Sequence, residues 1–420
     1  MNAFPYRRGE LHCESVSLRR LAEEFGTPLY VYSQGHVVER YASLDRAFAG
    51  LDHLICYAVK ANSNLALLRT MARAGAGFDI VSGGELYRVV QAGGDPSRCV
   101  FAGVGKTRDE IEYALKLGIY SFHIESEPEL QAIAKVGRRL RRCAPIALRV
   151  NPGVDPETHR YISTGKHESK FGISIQRALD VYRQAARLDG VEIRGVQMHI
   201  GSQITKTGPY ALALRKMLPL VEQVRELAPG TLRFVDVGGG LGIRYHQERP
   251  PTTAEFARAV MPPLRKLGLK VLLEPGRFIV GNGGALVARV IYVKRTPVKR
   301  FVITDAAMND LIRPVLYESY HEIVPVRRQG RLRRQKMDVV GPVCESGDFL
   351  AQDRHMAAVR EGELLAVLSA GAYGMAMASN YNARPRPAEV LVRGSRYELV
   401  RRRESVKDLV RGETIPQWLE

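Results

Sequence analysis

The sequence predicts an α/β fold, a closed (β/α)8 TIM barrel followed by an antiparallel β-sandwich or β-barrel domain. Three observations carry that expectation. A strand-then-helix unit recurs from residue 51 to about 280, each strand ends on a polar residue or glycine, and after about residue 282 strands follow one another without long helices. With 420 residues, 45% hydrophobic and 25% charged, the chain is long enough for one large core and a smaller one.

The recurring strands are "LICYAVK", "GFDIVS", "CVFAGV", "SFHIES", "IALRVN", "GVQMHIGS", "FVDVGGG" and "VLLEPGR". Between them lie segments such as "LALLRTMARAG" and "RDEIEYALKLG", with apolar residues three and four apart and glycine near their ends, the pattern of amphipathic helices. Eight alternations argue for a parallel barrel, a fold that gathers its chemistry at the carboxyl ends of the strands. Those ends carry Lys60, Ser82, Glu125, Asn151, His199, glycines 238 to 240 and Glu274. Lys60 is therefore expected at the barrel mouth, with Glu274 opposite it around the ring.

The later strands are "ALVARVIYVK", "RFVITDAA", "HEIVPVRR", "KMDVVGPV", "ELLAVLSAG" and "AEVLVRG". The expected division is an N-terminal segment 1–32 packing with the C-terminal β-domain, a barrel over 33–280, and the β-domain over 281–420. The helix-like "SLRRLAEEFG" belongs to the first segment. "NPGVDPETHRYISTGKHESK", long, polar and glycine-bearing after the fifth strand, reads as a lid.

No apolar run approaches the roughly 20 residues that span a bilayer, and the start lacks the apolar region of a signal peptide, so a cytoplasmic protein without a membrane partner is expected. Cys13, Cys56, Cys99, Cys143 and Cys344 are scattered without C-x-x-C spacing, which argues against zinc or a disulfide framework and for packing roles at four of them. No H-E-x-x-H is present, and no metal is expected. The formal charge of +18 comes mainly from arginine; its densest runs have few aromatics among them, which favours a solvated basic surface over a nucleic-acid partner.

A lysine at a strand end in a partly dry pocket can form a Schiff base with an aldehyde, although most such lysines are satisfied by a salt bridge. "DVGGGLG" ends the seventh strand on Gly238, Gly239 and Gly240, whose backbone N–H groups could cradle a phosphate or simply make a tight turn. "MHIGSQ" adds His199 and Ser202, and "EPGR" adds Glu274, Pro275, Gly276 and Arg277. A lysine for an aldehyde, an acid for a pyridine nitrogen and glycines for a phosphate are the three handles of pyridoxal 5'-phosphate. "FAGVGKT" ends like a P-loop, but the first glycine of that motif would fall at Val100, so it warrants no nucleotide.

With "YAVKAN", "GFDIVSGGEL", "THRYISTG", "SKFGI", "MHIGSQ", "DVGGGLG" and "EPGR" in that order, the chain resembles the pyridoxal-phosphate-dependent decarboxylases built on the alanine-racemase-type barrel, fold type III. "DAAMNDLIRPVLYESYHEI", "VGPVCESGDFLA" and "GAYGMAMASNYNARPRPAEVLV" are similar to the branch that acts on meso-2,6-diaminopimelate, yielding L-lysine and carbon dioxide at the last step of lysine biosynthesis. The resemblance covers nearly the whole chain and meets no departure at a position expected to do chemistry.

That resemblance implies that Lys60 holds the cofactor covalently, with Asp79 near it and His199 stacked on its ring. Ser202, Gly240, Gly276, Arg277 and Tyr373 would surround the phosphate, Gly239 and Pro275 would also lie at the cofactor, and Glu274 would meet the pyridine nitrogen. Arg277, Arg313 and Tyr317 would hold the distal carboxylate of the substrate, beside Tyr373, and Glu345 its distal ammonium. Cys344 would be the proton donor, reaching the site from the other subunit of a homodimer. A thiol, with an ordinary pKa of about 8.5, suits general acid work near neutrality. Racemases of the same fold typically place arginine where Glu274 stands, which makes the ring a weaker electron sink. The alternatives are a sister decarboxylase for a related amino acid or siderophore precursor, and a cofactor-free interaction protein, against which the joint presence of Lys60, Glu274 and Cys344 speaks.

Overall fold

The computed structural model describes residues 3–155, 170–328 and 334–419. Two compact units emerge, one formed by Val37–Val280 and the other by Met1–His36 together with Gly281–Glu420. Most of the stretch read as a lid, and the motif "THRYISTG", lie outside the described residues. Among the described residues, no helix is long and apolar enough to cross a membrane.

In the first unit, strands His53–Ala58, Gly77–Ile80, Cys99–Phe101, Ser121–Ile124, Ala144–Asn151, Val191–Met198, Phe234–Asp236 and Lys270–Leu273 pair in parallel in chain order, and the last pairs back to the first. The ring is closed, as the eight alternations predict. Its helices begin where the sequence supplies caps: Thr107 with Glu110 and Thr252 with Glu255 form capping boxes, while Gly118 and Gly268 close the same helices in the left-handed region.

Closure has a direct consequence for side chains. Successive residues of a strand point to opposite faces, so every second one enters the ring. The lower interior is apolar, with Leu54, Cys56, Val100, Ala147, Phe234 and Leu272 in one buried cluster. Gly195 has no room for a side chain there, because a Cβ would lie 2.2 Å from the Phe234 ring.

The second unit is built on a sheet of nine strands. Most pairings are antiparallel, as expected, but Arg300–Thr304 runs parallel to Arg334–Val340, and Leu29–Ser33 runs parallel to Ala388–Arg393. Leu29–Ser33 is missed from sequence because it lies between two partners and is buried at every residue, so it shows no alternation. Phe349–Ala357 and Arg396–Arg401 are missed for the opposite reason, carrying many exposed polar residues. The N-terminal helix Leu18–Phe25 packs its buried Leu18, Leu21 and Ala22 into a core shared with Leu29, Val31, Val287 and Val390.

Phe234 is fully buried, and its ring centroid lies 5.3 Å from that of Tyr120. Phe234→Ala is expected to cost about 3–5 kcal/mol, since the ring fills the interior and Gly195 offers nothing to replace it. Urea unfolding of the cofactor-free protein measures this; a loss below about 1 kcal/mol would mean the interior collapses around the gap.

Candidate active site

Above the apolar layer, the same inward positions become polar. Two residues beyond Phe234 stands Asp236, two beyond Leu272 stands Glu274, two beyond Ala147 stands Arg149, and Gly195 is followed by Gln197 and His199. Ser121, His123 and Glu125 continue the rule, and on the first strand it runs through Leu54, Cys56 and Ala58, after which the chain turns into the short helix Val59–Ala61 that carries Lys60.

Lys60 Nζ lies 2.5 Å from Oδ2 of Asp79, on the adjacent strand. The lysine side chain is 36% exposed and Asp79 is wholly buried. Burial raises the Asp79 carboxyl to about 6, with Lys60's charge opposing and Glu274's adding to the rise. Glu274 is not opposite Lys60 as expected: strand Lys270–Leu273 pairs directly with His53–Ala58, because the eighth strand of a closed ring meets the first.

Oε1 of Glu274 lies 3.2 Å from Nδ1 of His123, and its Oε2 accepts from Nε2 of Gln197 at 3.2 Å. Burial works against a charge on Glu274, but His123 and the charge on Lys60 outweigh it and hold the carboxyl at about 2. Asp236, 3.9 Å from the other nitrogen of His123, moves the other way: its burial and the charge on Glu274 push it well above the carboxylate range. The two buried carboxyls thus move in opposite directions, Glu274 toward the charged form beside His123 and Asp236 toward the neutral one.

Nδ1 of His199 accepts the N–H of Gly239 at 3.2 Å, so its 3.9 Å approach to Glu274 is not an ion pair. Burial first, then the charge on Arg149, lowers His199 to about 3 and leaves the ring neutral. The glycine turn is tight against its neighbours: a Cβ on Gly239 would sit 2.1 Å from the Glu274 carbonyl oxygen, and Gly238 and Gly240 adopt φ of 72° and 94°. Beside it, Arg277 is buried and donates to the Tyr245 hydroxyl at 2.7 Å and to Ser202 Oγ at 3.1 Å. Gly276, which follows Pro275, packs where a Cβ would meet Ala58 and Ala61 at 3.0 and 2.9 Å.

The remaining candidates lie in the β-sheet unit. Arg313 opens the short helix Arg313–Tyr317 and is buried. Cys344 is exposed, so it is not a buried packing thiol. Its loop is pinned by buried Asp348, which accepts the N–H groups of Met308 at 2.7 Å and Val343 at 2.8 Å. Glu345 is exposed beside it, and Tyr373 is half-buried with φ of 57°. Of the four cysteines expected to pack, Cys13, Cys56 and Cys99 are buried, whereas Cys143 is exposed.

Residues 34–281 match the family described as pyridoxal-dependent decarboxylase, pyridoxal binding domain. Diaminopimelate decarboxylase of Pseudomonas aeruginosa is 52% identical over 415 residues, covering 99% of this chain and 99% of that one. The chain belongs to the pyridoxal-dependent decarboxylases. The decarboxylase is also 51% identical to the diaminopimelate decarboxylase of Vibrio cholerae, over 97% of this chain and 98% of the relative. Among solved structures, diaminopimelate decarboxylase from M. jannaschii in co-complex with L-lysine superposes with a TM-score of 0.94 at 36% identity, covering 100% of this chain and 99% of that one. The Helicobacter pylori enzyme complexed with L-lysine gives 0.89 at 40% identity, covering 94% and 98%.

The barrel residues of this decarboxylase fit pyridoxal phosphate. A half-exposed lysine, a buried carboxyl drawn toward its charged form and a turn with no room for a Cβ are the kinds of group that its aldehyde, pyridine nitrogen and phosphate call for. Sequence reasoning missed His123, Gln197 and Asp236, because it looked only at strand ends. Stepping back two residues from Glu125, His199 and Gly238 would have found them. The P-loop lookalike is explained too: Lys106 is buried and donates to the carbonyls of Gly103 and His123 and to Glu129.

Because folding lowers the His199 pKa below its ordinary 6.5, the unfolded chain takes the proton first. The stability gained by keeping that ring neutral is present above pH 6.5 and is lost as pH falls toward 3. In urea unfolding of the cofactor-free decarboxylase, His199→Gln is expected to lose less stability between pH 7 and pH 5 than the parent. An equal loss would assign the proton to another group.

Proposed function

We propose that this decarboxylase removes one carboxylate of meso-2,6-diaminopimelate, releasing L-lysine and carbon dioxide, the last step of lysine biosynthesis. The observation that carries it is Glu274, a buried carboxyl 3.2 Å from Nδ1 of His123, directly after the strand that pairs with the one leading to Lys60. The full-length likeness to diaminopimelate decarboxylases, two of them complexed with L-lysine, supports the substrate.

The residues divide the work by charge. Lys60 would hold the cofactor's aldehyde carbon, and Asp79 keeps the amino group at the mouth. His199, neutral, would lie against the ring, and Glu274 would keep the pyridine nitrogen protonated. The glycine turn, Ser202, Gly276, Arg277 and Tyr373 would surround the phosphate. Bound there, pyridoxal phosphate supplies an electron sink for the pair left by the departing carboxylate. An arginine in place of Glu274 would weaken that sink, which separates decarboxylation from racemisation.

Arg313, Tyr317 and Arg277 would take the distal carboxylate and Glu345 the distal ammonium, a pairing that ornithine cannot satisfy. Cys344 would return a proton to the alpha carbon, from the other subunit of a homodimer with shared active sites. The free cysteines accord with a cytoplasmic setting, where such a thiol stays reduced.

With pyridoxal phosphate added, lysine and carbon dioxide should appear from the meso form but not from LL-diaminopimelate, ornithine, arginine or lysine. Silence on all five, with the visible band of the bound cofactor present, would transfer the chemistry to a sister substrate. Lys60→Ala should lose both turnover and that band; a fully active variant would remove Lys60 from the mechanism. Arg313→Ala should raise the KM for meso-diaminopimelate by an amount worth about 2–5 kcal/mol, the scale of unpairing a buried charge. An unmoved KM would put the distal carboxylate elsewhere.

A further inference from the structure

His321 is wholly buried in the β-sheet unit and lies against Arg313. Nε2 of its ring is 2.9 Å from Nη1 of Arg313, and its Nδ1 is 2.9 Å from the carbonyl oxygen of Leu368. A carbonyl only accepts, so Nδ1 carries the hydrogen. A guanidinium only donates, so Nε2 presents its lone pair. One protonation state satisfies both neighbours, the neutral ring with its hydrogen on Nδ1.

The backbone leaves the ring little choice. Strands Ile323–Pro325 and Leu364–Val367 pair antiparallel, with Ile323 opposite Val367, and the pairing continues as Leu368 N–H donates to the Glu322 carbonyl at 2.8 Å. The carbonyl of His321 itself accepts from Nη1 of Arg354 at 2.7 Å. Sheet register thus brings the Leu368 carbonyl to the imidazole. On the other side, helix Arg313–Tyr317 ends at Glu318 with φ of 52°, which returns the chain so that Ser319 Oγ accepts from Nη2 of Arg313 at 3.1 Å. Imidazole and hydroxyl are both neutral acceptors. They fix the direction of the guanidinium without taking its charge.

We infer that His321 is a positioning residue for substrate selection, a neutral hydrogen-bond acceptor that orients Arg313 toward the distal carboxylate of a diacid. This rests on the assignment of that carboxylate to Arg313. His321 would touch neither substrate nor cofactor, and would matter to a substrate only through the group that Arg313 holds.

Two variants separate this from a packing role. The short amide of His321→Asn can take the place of Nδ1 and keep the bond to Leu368, but has nothing at the Nε2 position. The longer His321→Gln can put its carbonyl oxygen there. In steady-state assays with meso-diaminopimelate, His321→Asn is expected to raise KM about tenfold or more, the scale of one hydrogen bond to a charged group, with kcat and the affinity for pyridoxal phosphate close to the parent's. His321→Gln is expected to recover most of the loss. A KM unmoved in His321→Asn, a fall in kcat alone, or a glutamine no better than asparagine would overturn the assignment. Should His321→Asn fail to fold, the ¹⁵N spectrum of the histidine-labelled parent decides: an unprotonated Nε2 at neutral pH supports the geometry, and a protonated one overturns it. A parent that releases no lysine overturns the substrate assignment itself; a normal parent with an unmoved His321→Asn overturns only the role of His321.

Discussion

A closed ring of parallel strands sends every second side chain into a space that water does not fill, and the rest of the barrel follows from how that space is used. Its lower part holds Leu54, Cys56, Ala147, Phe234 and Leu272, which exclude water from below. The upper part holds His123, Gln197, Asp236, Asp79 and Glu274, all buried and polar. A charge there is costly unless it is answered, so each group is set by its neighbours.

The result is a division of charge. His123 lies nearer Glu274 than Asp236, and the two carboxyls move apart in pKa accordingly. Asp79 answers Lys60, while His199 accepts from the glycine turn and stays neutral. Together these surround one reachable lysine with carboxyls whose charge is set by their neighbours rather than by solvent.

In the β-sheet unit the same hydrogen-bond logic works on loops. Asp348 ties down the loop of Cys344 through backbone N–H groups, and His321 and Ser319 orient Arg313 through neutral acceptors. Such loops carry recognition well because strands on either side hold their ends in register.

The alternation of strand and helix, and the polar residues that close each strand, were legible in the sequence because hydrophobic periodicity and glycine punctuation are local signals. So were the positions of Lys60, His199 and Glu274 at strand ends. Tertiary structure decided what those signals do not contain. Ring closure made Lys60 and Glu274 neighbours, and inward facing gathered His123 and Asp236 around Glu274 from strands far apart in sequence. Leu29–Ser33 found its place only when two distant strands offered their edges. Leu368 meets His321 by the same route, since that buried hydrogen bond is specified by the register of the strands on either side, and register belongs to the folded sheet, while Arg313 arrives from the short helix and the turn that follows it.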